Sequence, residues 1–177
     1  MSVVESECVE SSRSWRPVWG WVSALVVAAF AAFAATAQPT ETGLRIYAVQ
    51  DSFENVKEEV VDAIIKRGLV VDHTAHVGAM LARTAKDVGA SKTIYADAQS
   101  ILFCSATLSR RTMEADPASI AFCPYAVFVY ALADAPGTTF VGYRLLPSAG
   151  SPEAKAANEA VNALLEAIVR EAAGIKR

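Results

Sequence analysis

Hydrophobic residues recur along the chain with two different spacings. The segment LRIYAV, residues 44–49, has the composition of a β-strand. The segment after it predicts a helix that begins after Asp51 or Ser52 and ends before Gly68. Its apolar residues recur every three or four positions, at Phe53, Val56, Val60 and Ile64. GLVVDHTAHV, residues 68–77, is rich in branched residues and predicts a second strand.

The later segments continue this alternation. A second helix is predicted from Val77 to Gly89, a strand over QSILFC at 99–104, and a short helix that Ser105 caps. PYAVFVYALA and TTFVGYRLL predict two strands joined by the turn residues DAPG, and the last helix begins after Ser151. The order β-α-β-α-β-α-β-β-α predicts an α+β two-layer sandwich, with a mainly antiparallel sheet packed by helices. The alternation alone would also allow an α/β sheet.

The first 37 residues have a different composition from the rest. A polar segment ends with Arg13 and Arg16, and a charge-free apolar stretch, Val18 to Ala34, leads into Ala35-Thr36-Ala37. This pattern predicts a signal peptide over residues 1–37, a leader over 38–43 and a single domain over 44–173. We therefore expect a periplasmic or otherwise exported protein. The alternative is an uncleaved anchor facing the periplasm, because about twenty apolar residues can span a bilayer.

The charge of the expected mature chain argues against one class of partner. The first 37 residues contain two basic and three acidic residues, which leaves fourteen basic against sixteen acidic, a net charge of −2. No run rich in Lys and Arg is present, so we expect no binding to nucleic acid. The acidic residues follow helix faces, and Glu166 and Glu171 are assigned to the solvent-exposed side of the last helix. No G-x-S-x-G motif supports a hydrolase.

The expected mature chain has two cysteines, Cys104 and Cys123, nineteen positions apart. An even number of thiols in an oxidising compartment favours a disulfide. Cys104 ends one predicted strand and Cys123 begins the next, so the two lie at the same end of the sheet if these strands are antiparallel. Parallel neighbours would separate them by roughly 17 Å, too far for a bond.

The alternative for the cysteines is chemistry. Cys104 directly precedes the helix that Ser105 caps, where the helix dipole lowers a thiol pKa, and this position would suit a redox-active residue. No C-x-x-C motif of the thioredoxin type is present. A structural disulfide is the favoured interpretation, ahead of a redox or ligand pair and ahead of two inert thiols.

The two histidines, His73 and His76, form an H-x-x-H pair. Together with Cys104 and Cys123 they are the residue types of a four-ligand zinc site. A haem iron could instead take one histidine with Met80 or Met113, bound non-covalently because no C-x-x-C-H motif is present. We expect no cofactor, with each histidine hydrogen-bonded at a strand end. Metal or haem binding is kept as the alternative.

Several segments, in order, resemble a known bacterial family. They are VDHTAHVG, IYADAQSILFCSATLSRRTMEADP, IAFCPYAVFVY and VGYR, and the resemblance to domain of unknown function 302 covers roughly residues 45–170. It implies a small α+β domain that forms a homodimer, and it implies no established reaction. Some relatives have Gly-Asn or similar residues where this chain has Cys104-Ser105, so a mechanism resting on the cysteines would hold only for a subgroup.

The strand AVFVYALA lacks polar alternation, so protein must cover both of its faces. One face would meet the helices and the other a second copy of the chain, with Tyr125 and Tyr130 as interface residues. We therefore expect an exported, non-enzymatic, dimeric binding or accessory module, with an envelope protein as a further partner. Membrane contact is expected only if the N-terminal segment stays uncleaved. The alternative is a thiol-redox or metal- or haem-binding protein that uses Cys104, Cys123 and His73.

Overall fold

The structure, a computed structural model, describes residues 43–175. The expected signal peptide and almost all of the leader lie outside these residues. The strands are β1 (Leu44–Val49), β2 (Val70–Ala75), β3 (Tyr95–Cys104), β4 (Tyr125–Leu132) and β5 (Thr139–Arg144). The helices are α1 (Phe53–Ile65), α2 (Val77–Thr84), α3 (Ala106–Ala115) and α4 (Pro152–Ala172), and a 3-10 helix spans Pro117–Phe122.

The five strands form one sheet in the order β1-β5-β4-β3-β2. Every neighbouring pair is antiparallel. The predicted α+β class with an antiparallel sheet is confirmed, and the alternative parallel α/β sheet is wrong. The hairpin of β4 and β5 occupies the centre of the sheet, because β1 pairs with β5 on one side and β3 pairs with β4 on the other.

The helix α1 shows how local sequence sets an element. The Ser52 hydroxyl accepts a hydrogen bond from the Asn55 N–H at 3.2 Å and caps the first turn. Gly68 has a φ of +71°, a conformation that glycine adopts without strain, and it follows the last turn. The apolar residues predicted for this helix are buried against the sheet, at Phe53, Val56, Val60 and Ile64.

The hydrophobic core lies between one face of the sheet, here called the inner face, and the helices α1 and α4. Val127 and Val129 of β4 are fully buried there, beside Val141 of β5. The apolar stripe predicted for α4 supplies the opposing side chains, and its buried members are Val161, Leu165, Ile168 and Val169. Leu164, the fifth predicted member of that stripe, is partly buried and packs against the same core.

The helix α2 packs on the other face of the sheet, here called the outer face. A Cβ atom on Gly78 would lie 2.8 Å from the backbone nitrogen of Ala98 and 3.5 Å from its Cβ. Ala98 pairs directly with Tyr130 in the register, so both side chains belong to the outer face. No residue of α2 is buried. The sheet therefore has its main helical layer on one side and a short, thinly packed helix on the other.

Two boundaries and one element differ from the sequence prediction. The helix α2 ends at Thr84, five residues before the predicted Gly89. β3 begins at Tyr95, four residues before the predicted strand, because the segment continues to pair with β4 as far as Leu132. The sequence does not predict the 3-10 helix after Asp116, although Asp116 caps it by accepting from the Ala118 N–H at 3.0 Å. Across residues 43–175, no helix combines the length and the apolar character that a membrane crossing requires.

Candidate functional site

Cys104 and Cys123 meet at one end of the sheet. β3 and β4 are antiparallel, with Phe103 opposite Tyr125, so the end of one strand lies beside the start of the next. The two Sγ atoms are 3.2 Å apart, and both cysteines carry free thiols. The geometric condition for pairing that the sequence left open is therefore met.

The two thiols have different surroundings. Cys104 is exposed, whereas Cys123 is partly buried. The Cys123 Sγ also lies 3.6 Å from the Ser109 Oγ of α3, and Ser109 donates a hydrogen bond to the Tyr125 hydroxyl at 3.3 Å. Ser105 caps α3 as predicted, since its hydroxyl accepts from the Leu108 N–H at 3.4 Å. Cys104 is thus the more exposed residue of the pair, and the sulfur of Cys123 contacts the first of two hydrogen-bonded hydroxyls.

The redox alternative depends on a lowered Cys104 pKa, and the surroundings of this thiol act in the opposite direction. Although the residue as a whole is exposed, partial burial of its thiol raises the pKa to about 11, and the hydrogen bond and charge of Cys123 and the charge of Asp72 act in the same direction. A backbone hydrogen bond from Tyr125 opposes these effects only in part. The next helix, α3, begins after Ser105. Its dipole would lower the Cys104 pKa, but this effect is smaller than the increase caused by the neighbouring thiol and carboxylate. Cys104 is therefore protonated at neutral pH.

The histidines lie on and just after β2, the strand that pairs with the Cys104 strand β3. His73 pairs with Leu102 in the β2–β3 ladder, while Cys104 pairs with Val70. On β3 the residue opposite His73 is two positions from Cys104, roughly 7 Å along the strand. His76 stands at the N-cap of α2 and makes no capping hydrogen bond with its side chain. Among residues 43–175, no three His, Cys, Asp or Glu side chains are grouped as metal ligands.

A second polar cluster joins α4 to the sheet. Glu166 accepts hydrogen bonds from the hydroxyls of Tyr47 at 2.5 Å and Tyr143 at 3.0 Å, and Arg170 lies 3.9 Å from the same carboxylate. Burial and the hydrogen bond to Glu166 raise the pKa of both tyrosines. The assignment of Glu166 to a solvated face is therefore wrong. Its spacing from the apolar stripe of α4 placed it at the margin of the buried face, and only the β1–β5 pairing brings the two tyrosines to it.

The outer face of the sheet carries a row of aromatic rings. Tyr130 stacks on Phe140 with centroids 4.9 Å apart, Phe128 lies 6.2 Å from Tyr130, and Tyr95 meets Tyr130 edge to face at 5.6 Å. These rings are only partly buried. Ile46 extends the row onto β1 and is 39% exposed.

Tyr125 does not belong to this row. It is buried on the inner face and contacts Phe103 and Ser109. Its predicted role at an interface is therefore wrong, and the same role for Tyr130 stays a prediction. Adjacent residues alternate between faces, and an odd separation of five positions along β4 puts the two tyrosines on opposite sides.

A cleft of about 300 Å³ opens at the Arg144 end of the sheet. It is lined mostly by apolar side chains, among them Leu44, Phe122 and Phe128, and it includes Arg144. The Arg144 guanidinium lies over the Phe122 ring at 5.7 Å. The cleft borders Phe122 and Pro124, the residues on either side of Cys123 in the sequence.

These features define a class of protein: an α+β domain with a single antiparallel sheet, helices on its inner face and a largely open outer face. The chain matches the family described as domain of unknown function DUF302 over residues 46–172, and it belongs to that family. It is similar in fold to the crystal structure of an uncharacterised conserved DUF302 protein from Bacillus stearothermophilus. That likeness has a TM-score of 0.61 at 16% sequence identity, and it covers 73% of this chain and 98% of the other. No curated protein matches the chain.

Proposed function

We propose that the chain is an exported, non-enzymatic binding or accessory module that acts as a homodimer. The observation that carries this proposal is the outer face of the sheet, where Phe128, Tyr130 and Phe140 form a partly exposed aromatic row. Aromatic residues are enriched at the centres of protein interfaces. A second copy is the partner we propose, because a two-fold interface matches the same patch on both subunits.

The export part of this proposal rests on the sequence pattern before the domain. The positively charged segment, the apolar stretch from Val18 and the small residues at Ala35 and Ala37 support cleavage before Gln38. Expression in a bacterial host followed by fractionation and N-terminal sequencing tests it. A periplasmic protein that begins at Gln38 is expected. Full-length protein in the membrane fraction would favour the anchored alternative instead.

The dimer is tested by sedimentation of the mature chain with one charge placed on the outer face. Ile46→Glu should convert the dimer to a monomer at micromolar concentration, because it buries a carboxylate in an apolar contact. Ile65→Glu is the matched control, since Ile65 is 57% exposed at the end of α1, which packs on the inner face. A wild-type mass equal to one chain would refute the dimer. Equal effects of both variants would place the interface elsewhere.

A thiol–disulfide role is the second candidate function, and the 3.2 Å approach of the two Sγ atoms favours it. We propose that Cys104 and Cys123 form a disulfide in an oxidising compartment. Thiol counting on the unfolded chain, with and without prior reduction, tests this proposal. Two free thiols in protein isolated from the periplasm would refute it. A metal site that combines His73 with the thiols has less support, because no three His, Cys, Asp or Glu side chains of residues 43–175 are grouped as metal ligands.

A further inference from the structure

The paired thiols differ in how an outside reagent can reach them. Cys104 is exposed at the end of β3, whereas Cys123 is partly buried. The sulfur of Cys123 lies between two neighbours, the Cys104 Sγ at 3.2 Å and the Ser109 Oγ at 3.6 Å. Thiol–disulfide exchange depends on access to the sulfur that is attacked or that attacks. The surroundings therefore assign different roles to two residues of the same type.

We propose that Cys104 is the thiol through which an external disulfide enters this site, and that Cys123 is the resolving thiol that completes the bond. This inference rests on the proposal that the pair forms a disulfide. The partner is any accessible disulfide of the exported compartment, carried either by a small molecule or by a protein oxidase. The disulfide group is the chemistry that Cys104 recognises in both.

The exchange has two steps. In the first, the deprotonated Cys104 Sγ attacks the partner's disulfide, forming a mixed disulfide and releasing one partner thiolate. In the second, the deprotonated Cys123 Sγ attacks the Cys104 Sγ, forming the intramolecular bond and releasing the second partner thiolate. Two thiols of this chain are oxidised, one partner disulfide is reduced, and the two protons lost by the cysteines pass through solvent to the partner thiolates.

The fold favours the second step, the attack of Cys123 on the mixed disulfide, more than the first step, the attack of Cys104 on the partner. The Sγ atoms need to approach by only about 1 Å to reach the bonding distance of about 2 Å, and the β3–β4 ladder already holds both strand ends. The Ser109 Oγ also contacts the Cys123 Sγ, at 3.6 Å. The first step is slow at neutral pH, because the pKa of Cys104 is raised to about 11. Resolution should therefore outrun entry, and no mixed disulfide should accumulate in the wild-type chain.

Trapping with oxidised glutathione tests the order of the two thiols. The full chain with Cys8→Ser serves as the parent, and Cys104→Ser and Cys123→Ser are added to it singly. After acid quenching and mass spectrometry, Cys123→Ser should accumulate one glutathione at Cys104, at least tenfold faster than Cys104→Ser accumulates one at Cys123. Equal rates, or faster reaction at Cys123, would overturn the proposed order. In denaturant the two variants should react at similar rates, and a persisting difference would show that the fold is not its cause.

Two further outcomes distinguish failure of the proposed thiol order from failure of the proposed Cys104–Cys123 disulfide. If the parent chain keeps both thiols while Cys123→Ser still gains glutathione, the disulfide proposal fails and this inference fails with it. If the parent forms its disulfide but the variants show entry through Cys123, only the order fails. An oxidised periplasmic dithiol oxidase, used in place of glutathione, distinguishes the two sources of the disulfide. Trapping of Cys123→Ser by the oxidase in a covalent complex supports the protein source, and reaction with glutathione alone supports the small molecule.

Discussion

At the scale of single residues, Glu166 is the acceptor that joins two tyrosines of the sheet to α4. One carboxylate accepts from two phenols, and one of these belongs to Tyr143, which is 2% exposed. A buried hydroxyl that loses its acceptor costs about 1–3 kcal/mol. The cluster thus connects α4 to β1 and β5 by directional bonds, in addition to the apolar contacts of the core.

Replacing Glu166 with alanine should lower the free energy of unfolding by about 1–3 kcal/mol, because both tyrosines lose their acceptor. Urea denaturation of the purified chain measures this. Glu159→Ala is the matched control, as Glu159 is an exposed carboxylate on the same helix, and its effect should stay within about 0.5 kcal/mol. A loss no larger than that of the control would mean that the phenols find other acceptors.

The same cluster predicts a loss of stability at high pH. Burial, with the hydrogen bond and charge of Glu166, raises the pKa of Tyr143 above its usual value. A group whose pKa is raised by folding stabilises fully below its unfolded pKa of about 10, and this stabilisation is lost as the pH rises further. Urea midpoints between pH 8 and 11 should therefore fall more steeply for the wild type than for Tyr143→Phe.

The comparison of these two chains isolates Tyr143, because the raised pKa values of Tyr47 and Cys104 remain in both. Parallel pH profiles would show that ionisation of Tyr143 does not limit stability in this range. The low exposure of Tyr143 is what makes it suitable for the test, since an exposed phenol would be screened by solvent.

At the scale of elements, two glycines lie where a Cβ atom would clash with a neighbouring element, and the two clashes should differ in their cost to stability. A Cβ atom on Gly142 would lie 2.2 Å from the Arg45 carbonyl oxygen of β1 and 2.8 Å from the Phe128 ring. A Cβ atom on Gly78 would lie 2.8 Å from the Ala98 backbone, but Gly78 belongs to α2, which buries no residue. A clash between two paired strands has no free direction of relief, whereas a loosely packed helix can move outward.

Gly142→Ala should therefore destabilise the chain by about 3 kcal/mol or more, as overpacking does, and should speed hydrogen exchange in β1. Gly78→Ala should cost less than about 1 kcal/mol, because the gain in helix propensity offsets part of the clash. Urea denaturation with hydrogen-exchange mass spectrometry measures both. Equal losses in the two variants would contradict the loose attachment of α2.

The elements also show what periodicity can and cannot predict. Val56, Val60 and Ile64 identified α1 because a single buried face imposes its spacing on the sequence. No such signal exists for the 3-10 helix at Pro117–Phe122, in which only Ser119 is buried. The sequence also could not predict that α2 packs on the outer face. That position depends on the close approach of Gly78 to Ala98 and not on an apolar stripe.

At the scale of the whole molecule, strand order decides which of the candidate site residues meet. The sequence made the meeting of Cys104 and Cys123 conditional on antiparallel strands, and the β3–β4 register fulfils that condition. It could not place His73 relative to the thiols, because that position follows from the β2–β3 register and not from the H-x-x-H spacing. The tyrosines that bind Glu166 come from strands far apart in sequence, so only the sheet order 1-5-4-3-2 reveals them.

The thiol pair also sets a prediction for the stability of the molecule as a whole. A Cys104–Cys123 disulfide would close a loop of about twenty residues and stabilise the chain by about 3 kcal/mol in the chain-entropy model. That loop contains all of α3 and the 3-10 helix. The bond therefore restricts, in the unfolded chain, the segment that forms these two helices on folding. Its effect should reach the whole domain, because α3 packs against α4 and α4 carries much of the core.

Oxidising the mature chain should therefore raise Tm by about 10 °C over the reduced chain, given the usual ratio of Tm shift to stability for a domain of this size. Calorimetry with and without reductant measures this shift. The double variant Cys104→Ser/Cys123→Ser should melt with the reduced wild type under both conditions, because it cannot form the bond. An oxidised chain that melts no higher than the double variant would show that closing the bond strains the sheet end by as much as the loop restriction stabilises it. In that case the pair would be an exchangeable site and not a structural tie.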